Sequence, residues 1–424
     1  MSTPAATAPS ASHPAPSSKP STGPALAVGI AGLAVAGVGY FVSGAASFAM
    51  AWLVGFIYWI SVALGVLFLV MIHHIFDAGW SVVLRRQLEH WLSSFRILFI
   101  LFLPLLAFAW FRPDLLWHWM DPNFNLASIG GHGKVSGDLD LLKKSGFLNR
   151  NFFTVLSLGA ILAWTGLASI FRRNSFTQDK DGDPRWTLSS RKWAAAGIPF
   201  FALSLTACVI IWVKSLEPHW FSTMYGVWFF ADCARVALCL GLILTIWLWC
   251  RGDYKGILND NHLHSIGQLM LAFTVFWAYI SFSQYFLIWN ANVPEETFWY
   301  NIREYGDWWY VSLFLVFGNF LAPFLVLLLY PVKVNKKVFP WVGIFIAFVV
   351  LVDICYNALP SRLMSTGNPL PFFSINLVWV VAAVIGMGGI CAWSYLKSFS
   401  TTKLIPIRDP RIAECLTYHK PNAD

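Results

Sequence analysis

Met224-Tyr-Gly-Val-Trp-Phe-Phe-Ala-Asp232-Cys-Ala-Arg235-Val-Ala-Leu-Cys-Leu-Gly-Leu-Ile-Leu-Thr-Ile-Trp-Leu-Trp-Cys250 decides the fold class. The stretch is apolar apart from Asp232 and Arg235, and it is long enough to cross a bilayer as one helix. The two charges are three residues apart, so on a helix they share a face. Charge at that depth is costly and is kept where it pairs, faces the protein interior or lines a water path. Two readings follow: a neutralised pair that locks two helices together, or a group that moves protons or positions a ligand.

The rest of the chain repeats the pattern. Of 424 residues, 57% are hydrophobic and 12% charged, and the mean hydropathy is +0.61. That composition belongs to a polytopic, all-α integral membrane protein. The apolar runs predict ten spans, at 25–43, 48–72, 97–111, 152–171, 193–213, 224–249, 266–290, 308–330, 338–359 and 373–396. The third is short and is expected to extend into its flanks. Residues 1–24 are mostly Ala, Pro, Ser and Thr and read as a disordered tail. They lack the basic start of a signal peptide, so the first apolar run reads as a retained helix. The ten-helix domain then covers 25–397, and 398–424 form a second tail.

Twenty of the 29 Lys and Arg residues fall in segments on the side of the N-terminus and eight on the opposite side. This excess predicts that both termini are cytoplasmic. It also explains the net charge of +8 as a topology signal, without a nucleic-acid partner. Beyond the second span, His73-His74-Ile-Phe-Asp77-Ala-Gly-Trp80 leads into a segment where Val83, Leu84, Leu88, Trp91 and Leu92 keep helical spacing. The helix is expected to continue there and lie along the inner interface.

Topology fixes depth at about 1.5 Å per residue. Asp232 then lies roughly 10 Å below the outer surface, and Asp353 and Ser281 about 22 Å from the inner edge. On this reckoning Asp232, Arg235, Asp353, Tyr356, Ser281 and Gln284 can meet on one level and form the outer part of a candidate proton path. His73, His74 and Asp77 form a second group at the inner edge, where an imidazole can titrate near neutral pH. The alternative for that group is a polar collar facing headgroups.

The seven Cys are scattered with no C-x-x-C, and none of the ten His lies deep in a span. These patterns predict no iron–sulfur cluster, disulfide framework or haem on this chain. Asp179, Asp181 and Asp183 have part of a calcium-loop spacing, but the Gly and the closing Glu are not where such a loop needs them, and the stretch reads as a solvated linker.

One run is distinctive: His262-Leu-His264-Ser-Ile-Gly-Gln268-Leu-Met-Leu-Ala-Phe-Thr-Val-Phe-Trp-Ala-Tyr279-Ile-Ser-Phe-Ser-Gln284-Tyr-Phe-Leu-Ile-Trp289-Asn-Ala-Asn-Val-Pro294-Glu295-Glu296-Thr-Phe-Trp299-Tyr300. It resembles the ActF family, the NrfD/PsrC-like membrane subunits of bacterial alternative complex III, a quinol:cytochrome c oxidoreductase. Asp77-Ala-Gly-Trp-Ser-Val-Val-Leu-Arg-Arg86 and Pro406-Ile-Arg-Asp-Pro-Arg411-Ile-Ala-Glu-Cys-Leu-Thr-Tyr-His419 agree with it. The resemblance runs from about Gly55 to His419 and implies two four-helix bundles, from the second to fifth and sixth to ninth helices, plus two peripheral helices. It implies a bacterial inner-membrane location among lipids. Its partners would be a related ten-helix quinol-binding subunit, an Fe–S subunit, multihaem and monohaem cytochrome c subunits, and a terminal oxidase. Quinol or menaquinol is the ligand it implies, with haem c and Fe–S clusters held by the partners and no cofactor held by this chain. The chain would be a non-redox subunit, not catalytic alone. The rival expectations are an independent secondary transporter and a purely structural subunit.

Overall fold

The structure, a computed structural model, describes residues 19–126, 133–361, 371–400 and 403–418. Along these residues run α1 (Gly23–Val42), α2 (Ala45–Ile75), α3 (Val82–Trp91), α4 (Ser94–Phe111), α5 (Leu139–Lys143), α6 (Arg150–Asp181), α7 (Arg185–Trp212) and α8 (Tyr225–Arg251). They continue with α9 (Asp260–Ala291), α10 (Pro294–Asn301), α11 (Asp307–Phe314), α12 (Ala322–Leu328), α13 (Tyr330–Val334), α14 (Phe339–Ala358), α15 (Ile375–Phe399) and α16 (Ile412–Leu416). Among the described residues ten helical stretches are long and apolar enough to cross a membrane; α3 with α4 make one and α11 with α12 another. No strand occurs among the described residues, where a single isolated bridge pairs Asn125 with Lys134. The chain is an all-α, multi-pass membrane protein, as its composition predicts. Most of the expected tail 1–24 lies outside the described residues, as do 127–132 and 362–370.

We call the face on which α1 begins the near face and the opposite one the far face. α2, α4, α6 and α7 pack as one group, and α8, α9, α11–α12 and α14 as a second. α2 joins them by packing along α8; α15 covers α2 and α4, and α1 lies on α15. α2 is the central element: 83% of its apolar window is buried, against 17% for α1. In lipid, close packing and small residues hold helices together, because lipid tails are as apolar as Leu. Gly65 is the closest case. A Cβ there would stand 1.8 Å from the carbonyl oxygen of Cys233, so only Gly lets α2 approach α8 beside Asp232. Gly29 and Gly32 of α1 meet Gly386 and Gly389 of α15 in the same way, with a Cβ on Gly32 only 2.6 Å from Gly386 Cα.

Two sequence expectations fail here. α2 does not continue along the inner interface; it ends at Ile75, and the chain turns through Asp77 at φ 51° before α3 starts. Gly79 lies against the Glu414 carboxyl, which a Cβ there would meet at 2.3 Å and push aside. Nor does α3 lie on a surface. Every residue from Val82 to Trp91 is buried, and its charges are matched inside the protein. Arg86 pairs with Asp179 at 2.7 Å, Arg85 with Glu89 at 3.2 Å and with Asp409, and Ser175 donates to Glu89. Helical spacing of apolar residues reads as amphipathic when the partners of the polar face are remote in sequence.

The eighth span also departs from a plain helix. Leu315–Leu321 forms a π-helical segment between α11 and α12. Pro323 has no N–H to give the carbonyl four residues earlier, that of Asn319. The wider turn accommodates this and leaves the Asn319 carbonyl for another donor.

A buried charged cluster as the candidate functional site

That donor is Arg235. Its Nη2 donates to the Asn319 carbonyl at 3.0 Å, and its Nη1 to Asp232 Oδ1 at 3.3 Å. The guanidinium lies over the Trp277 ring at 5.4 Å. Asp353 of α14 takes the opposite side. Its Oδ2 accepts from Trp277 Nε1 at 2.8 Å, Trp228 Nε1 at 3.0 Å and Asn319 Nδ2 at 3.4 Å. Its Oδ1 accepts from Asn357 Nδ2 at 3.3 Å. The Asp232 and Asp353 carboxyls lie within hydrogen-bonding reach of each other. Asp232, Arg235 and Asn319 are at most 1% exposed and Asp353 is 2% exposed, so the cluster is sealed from both lipid and water.

Asp232 and Arg235 of α8 thus meet Asp353 of α14, which runs the opposite way, at the level their depths predict. Depth reckoning misplaces two others. Ser281 stays outside the cluster with its Oγ buried and unpartnered; the α9 residue that arrives is Trp277, about one turn earlier. Gln284 accepts from Ser222 at 2.5 Å and donates to Tyr300 at 3.1 Å, nearer the far face. Depth fixes the level of a residue and leaves its direction around the helix open. Tyr356 joins indirectly. Its hydroxyl meets Ser312 at 3.4 Å, and its carbonyl accepts from Arg303.

Arg303 caps the cluster on the far side. Its Nε, Nη1 and Nη2 donate to the carbonyls of Tyr356 (2.9 Å), Trp299 (2.7 Å) and Asn357 (3.2 Å). Trp299 stacks on its guanidinium at 3.4 Å. Burial lowers this group to about 10 against the pull of Tyr356 and Glu217. Asn357 links the two layers, accepting from Arg303 while its side chain reaches Asp353.

Trp228, Trp277, Asn319, Asn357 and Arg303 were missed from sequence. Signals exist for three of them. Trp228 and Asn357 are four residues from Asp232 and Asp353 on the same helices, and Asn319 is an amide in mid-span, four before a Pro. Trp277 is one aromatic among 23 Trp and has no such marker.

The near-face group is separate. Asp77 pairs with Arg191 at 2.8 Å and with Arg411 of the C-terminal segment. Partial burial pushes its carboxyl up, but the hydrogen bonds from Arg411 and Arg191 outweigh this and hold it below the usual range. His73 and His74 do not form a headgroup collar: they are 3% and 6% exposed, and His74 stacks on Phe171 at 5.6 Å. From Val62 to Ile72, α2 carries only apolar residues, and it separates this group from Asp232.

A small recess is lined by Trp80, Leu84, Thr245, His262 and Ile266, among others. Two of its polar side chains are already engaged. Thr245 donates to the Gly241 carbonyl at 2.7 Å, and His262 bonds Cys415 O at 3.1 Å and its own helix cap at 3.3 Å.

A comparison with protein-family models gives no match for this chain, and a search of the curated proteins gives none either. What this multi-pass membrane protein does must therefore follow from its residues and their geometry.

Proposed function

We propose that the chain is an integral subunit of a respiratory quinol-oxidising complex of the alternative complex III kind, in a bacterial inner membrane with both termini cytoplasmic. It scaffolds a related quinol-binding subunit and the haem and Fe–S subunits, which carry the electrons. The Asp232–Arg235–Asp353 cluster serves proton movement coupled to that chemistry. The observation that carries the proposal is a sealed set of three ionisable groups inside one of two four-helix groups, where a merely apolar scaffold would need none. A second support is the placement of the resembling run. Along α9, Tyr279, Phe282, Leu287 and Trp289 are each about two-thirds exposed, a wide aromatic face suited to a neighbouring subunit or lipid. Deleting the gene tests it. Membranes lacking this chain should lose quinol:cytochrome c oxidoreductase activity and the partner subunits; unchanged activity sinks the proposal.

One feature favours a second reading. The π segment at Leu315–Leu321 interrupts a span beside buried charges, as discontinuous helices do at the sites of secondary transporters. On that reading the chain works alone, and deletion leaves quinol oxidation intact.

A further inference from the structure

Two acceptor atoms in the cluster have no donor. Asp232 Oδ2 and Asn319 Oδ1 are both buried and receive no hydrogen bond from any N–H or O–H. The carboxyl of Asp232 nonetheless faces that of Asp353, where two ionised groups would repel. Charge makes the same demand. Two carboxylates and one guanidinium leave one net negative charge in a sealed apolar setting, and such a charge is not kept without compensation. One positive charge is missing, and one proton between the carboxyls supplies it.

The donors say where it sits. Asp353 collects four N–H groups, the environment of an ionised carboxylate. Asp232 receives only the 3.3 Å bond from Arg235. We infer that Asp232 is the acid and Asp353 its anionic acceptor, so that the cluster is a binding site for one proton with Arg235 as fixed counter-charge. The other ionisable groups near it are Cys233, Cys239 and Tyr225 on α8, Cys355 and Tyr356 on α14, and Arg303 beyond Asn357. None is a second carboxyl that could take the proton. Release sends the proton from Asp232 Oδ to a base or water outside the cluster and leaves both carboxylates ionised; rebinding reverses this, and no electron moves.

The inference deepens the proton role proposed above and rests on that role only for its purpose. Its test does not depend on which partners the chain has. Infrared spectroscopy of the purified full chain, with whatever subunits accompany it, reads the C=O stretch of a neutral carboxylic acid. The wild-type spectrum should contain one such band that shifts in heavy water. It should be lost in Asp232→Asn, and also in Asp353→Asn, where Asp232 ionises against Arg235. Carbon-13 labelling of aspartate should move the band, which keeps the test decisive if a variant fails to fold. Absence of the band in wild type overturns the inference, as does a band that survives both substitutions or ignores the aspartate label. A band that disappears when sodium replaces choline in the buffer also overturns it, because the missing charge is then a metal cation. Loss of the complex with the band intact refutes the proposed partners and leaves the proton site standing.

Discussion

Asp232→Asn and Asp353→Asn make the same chemical change on facing sides of one cluster, yet the structure predicts very different costs. At position 232 the amide keeps a carbonyl for Arg235 Nη1 and an N–H for Asp353, replacing an acid that already donates. The loss should stay within about 1 kcal/mol. At position 353 the change removes the acceptor of four N–H groups. Whichever way the amide turns, its NH₂ faces a donor, either Asn357 on one side or the two Trp rings and Asn319 on the other. Weakening several charge-assisted bonds and leaving at least one buried donor unmet costs on the order of 3–5 kcal/mol. That is roughly two to nearly four decades in the folded-to-unfolded ratio. Unfolding in mixed dodecyl maltoside–SDS micelles, followed by circular dichroism, measures both variants on one scale. Equal damage from the two would refute the reasoning, because Asp232 would then be ionised and paired with Arg235 in the native protein.

Other predictions follow from single contacts. Gly65→Val should cost at least about 3 kcal/mol by forcing α2 from the Cys233 carbonyl, while Gly37→Ala, with open space around it, should be neutral or stabilising by the same unfolding assay. Arg303→Lys exchanges a three-pronged, stacked guanidinium for a point charge and should lower stability on the order of 2–4 kcal/mol, read as thermal inactivation. Burial holds the His118 imidazole, in the loop after α4, down to about 4, with His219 adding to the effect. The unfolded chain therefore binds a proton there below about pH 6.5 that the folded chain refuses until about pH 4. Stability should fall as pH drops through that window, by roughly 1.4 kcal/mol per pH unit. His118→Phe should remove that slope without loss at pH 8, since neither ring nitrogen has a partner.

The span count, the element order and the pairing of Asp232 with Arg235 were legible because each depends on short-range pattern: apolar run length, three-residue spacing and rise per residue. Asp353 was legible through depth alone. What failed depended on direction around a helix or on partners far along the chain. Ser281 and Trp277 differ by four residues, and no periodicity in a nearly all-apolar helix says which points inward. α3 was misplaced because its partners, Asp179, Ser175 and Asp409, are supplied by other segments. The C-terminal segment reads from composition as a tail; Arg411, Cys415 and Tyr418 instead fold back onto Asp77, Trp80 and Asn259. The π segment was written in Asn319 and Pro323, but its meaning appears only when Arg235 arrives from another helix.

The most direct test of the central claim, that this chain works as the redox-silent membrane component of an electron-transfer complex, is affinity purification from its native membrane in mild detergent. Haem absorbance and mass spectrometry would read what accompanies it. The account predicts c-type haem, an iron–sulfur protein and a second ten-helix protein in fixed ratio to the chain. A stable, haem-free preparation of this chain alone would contradict it.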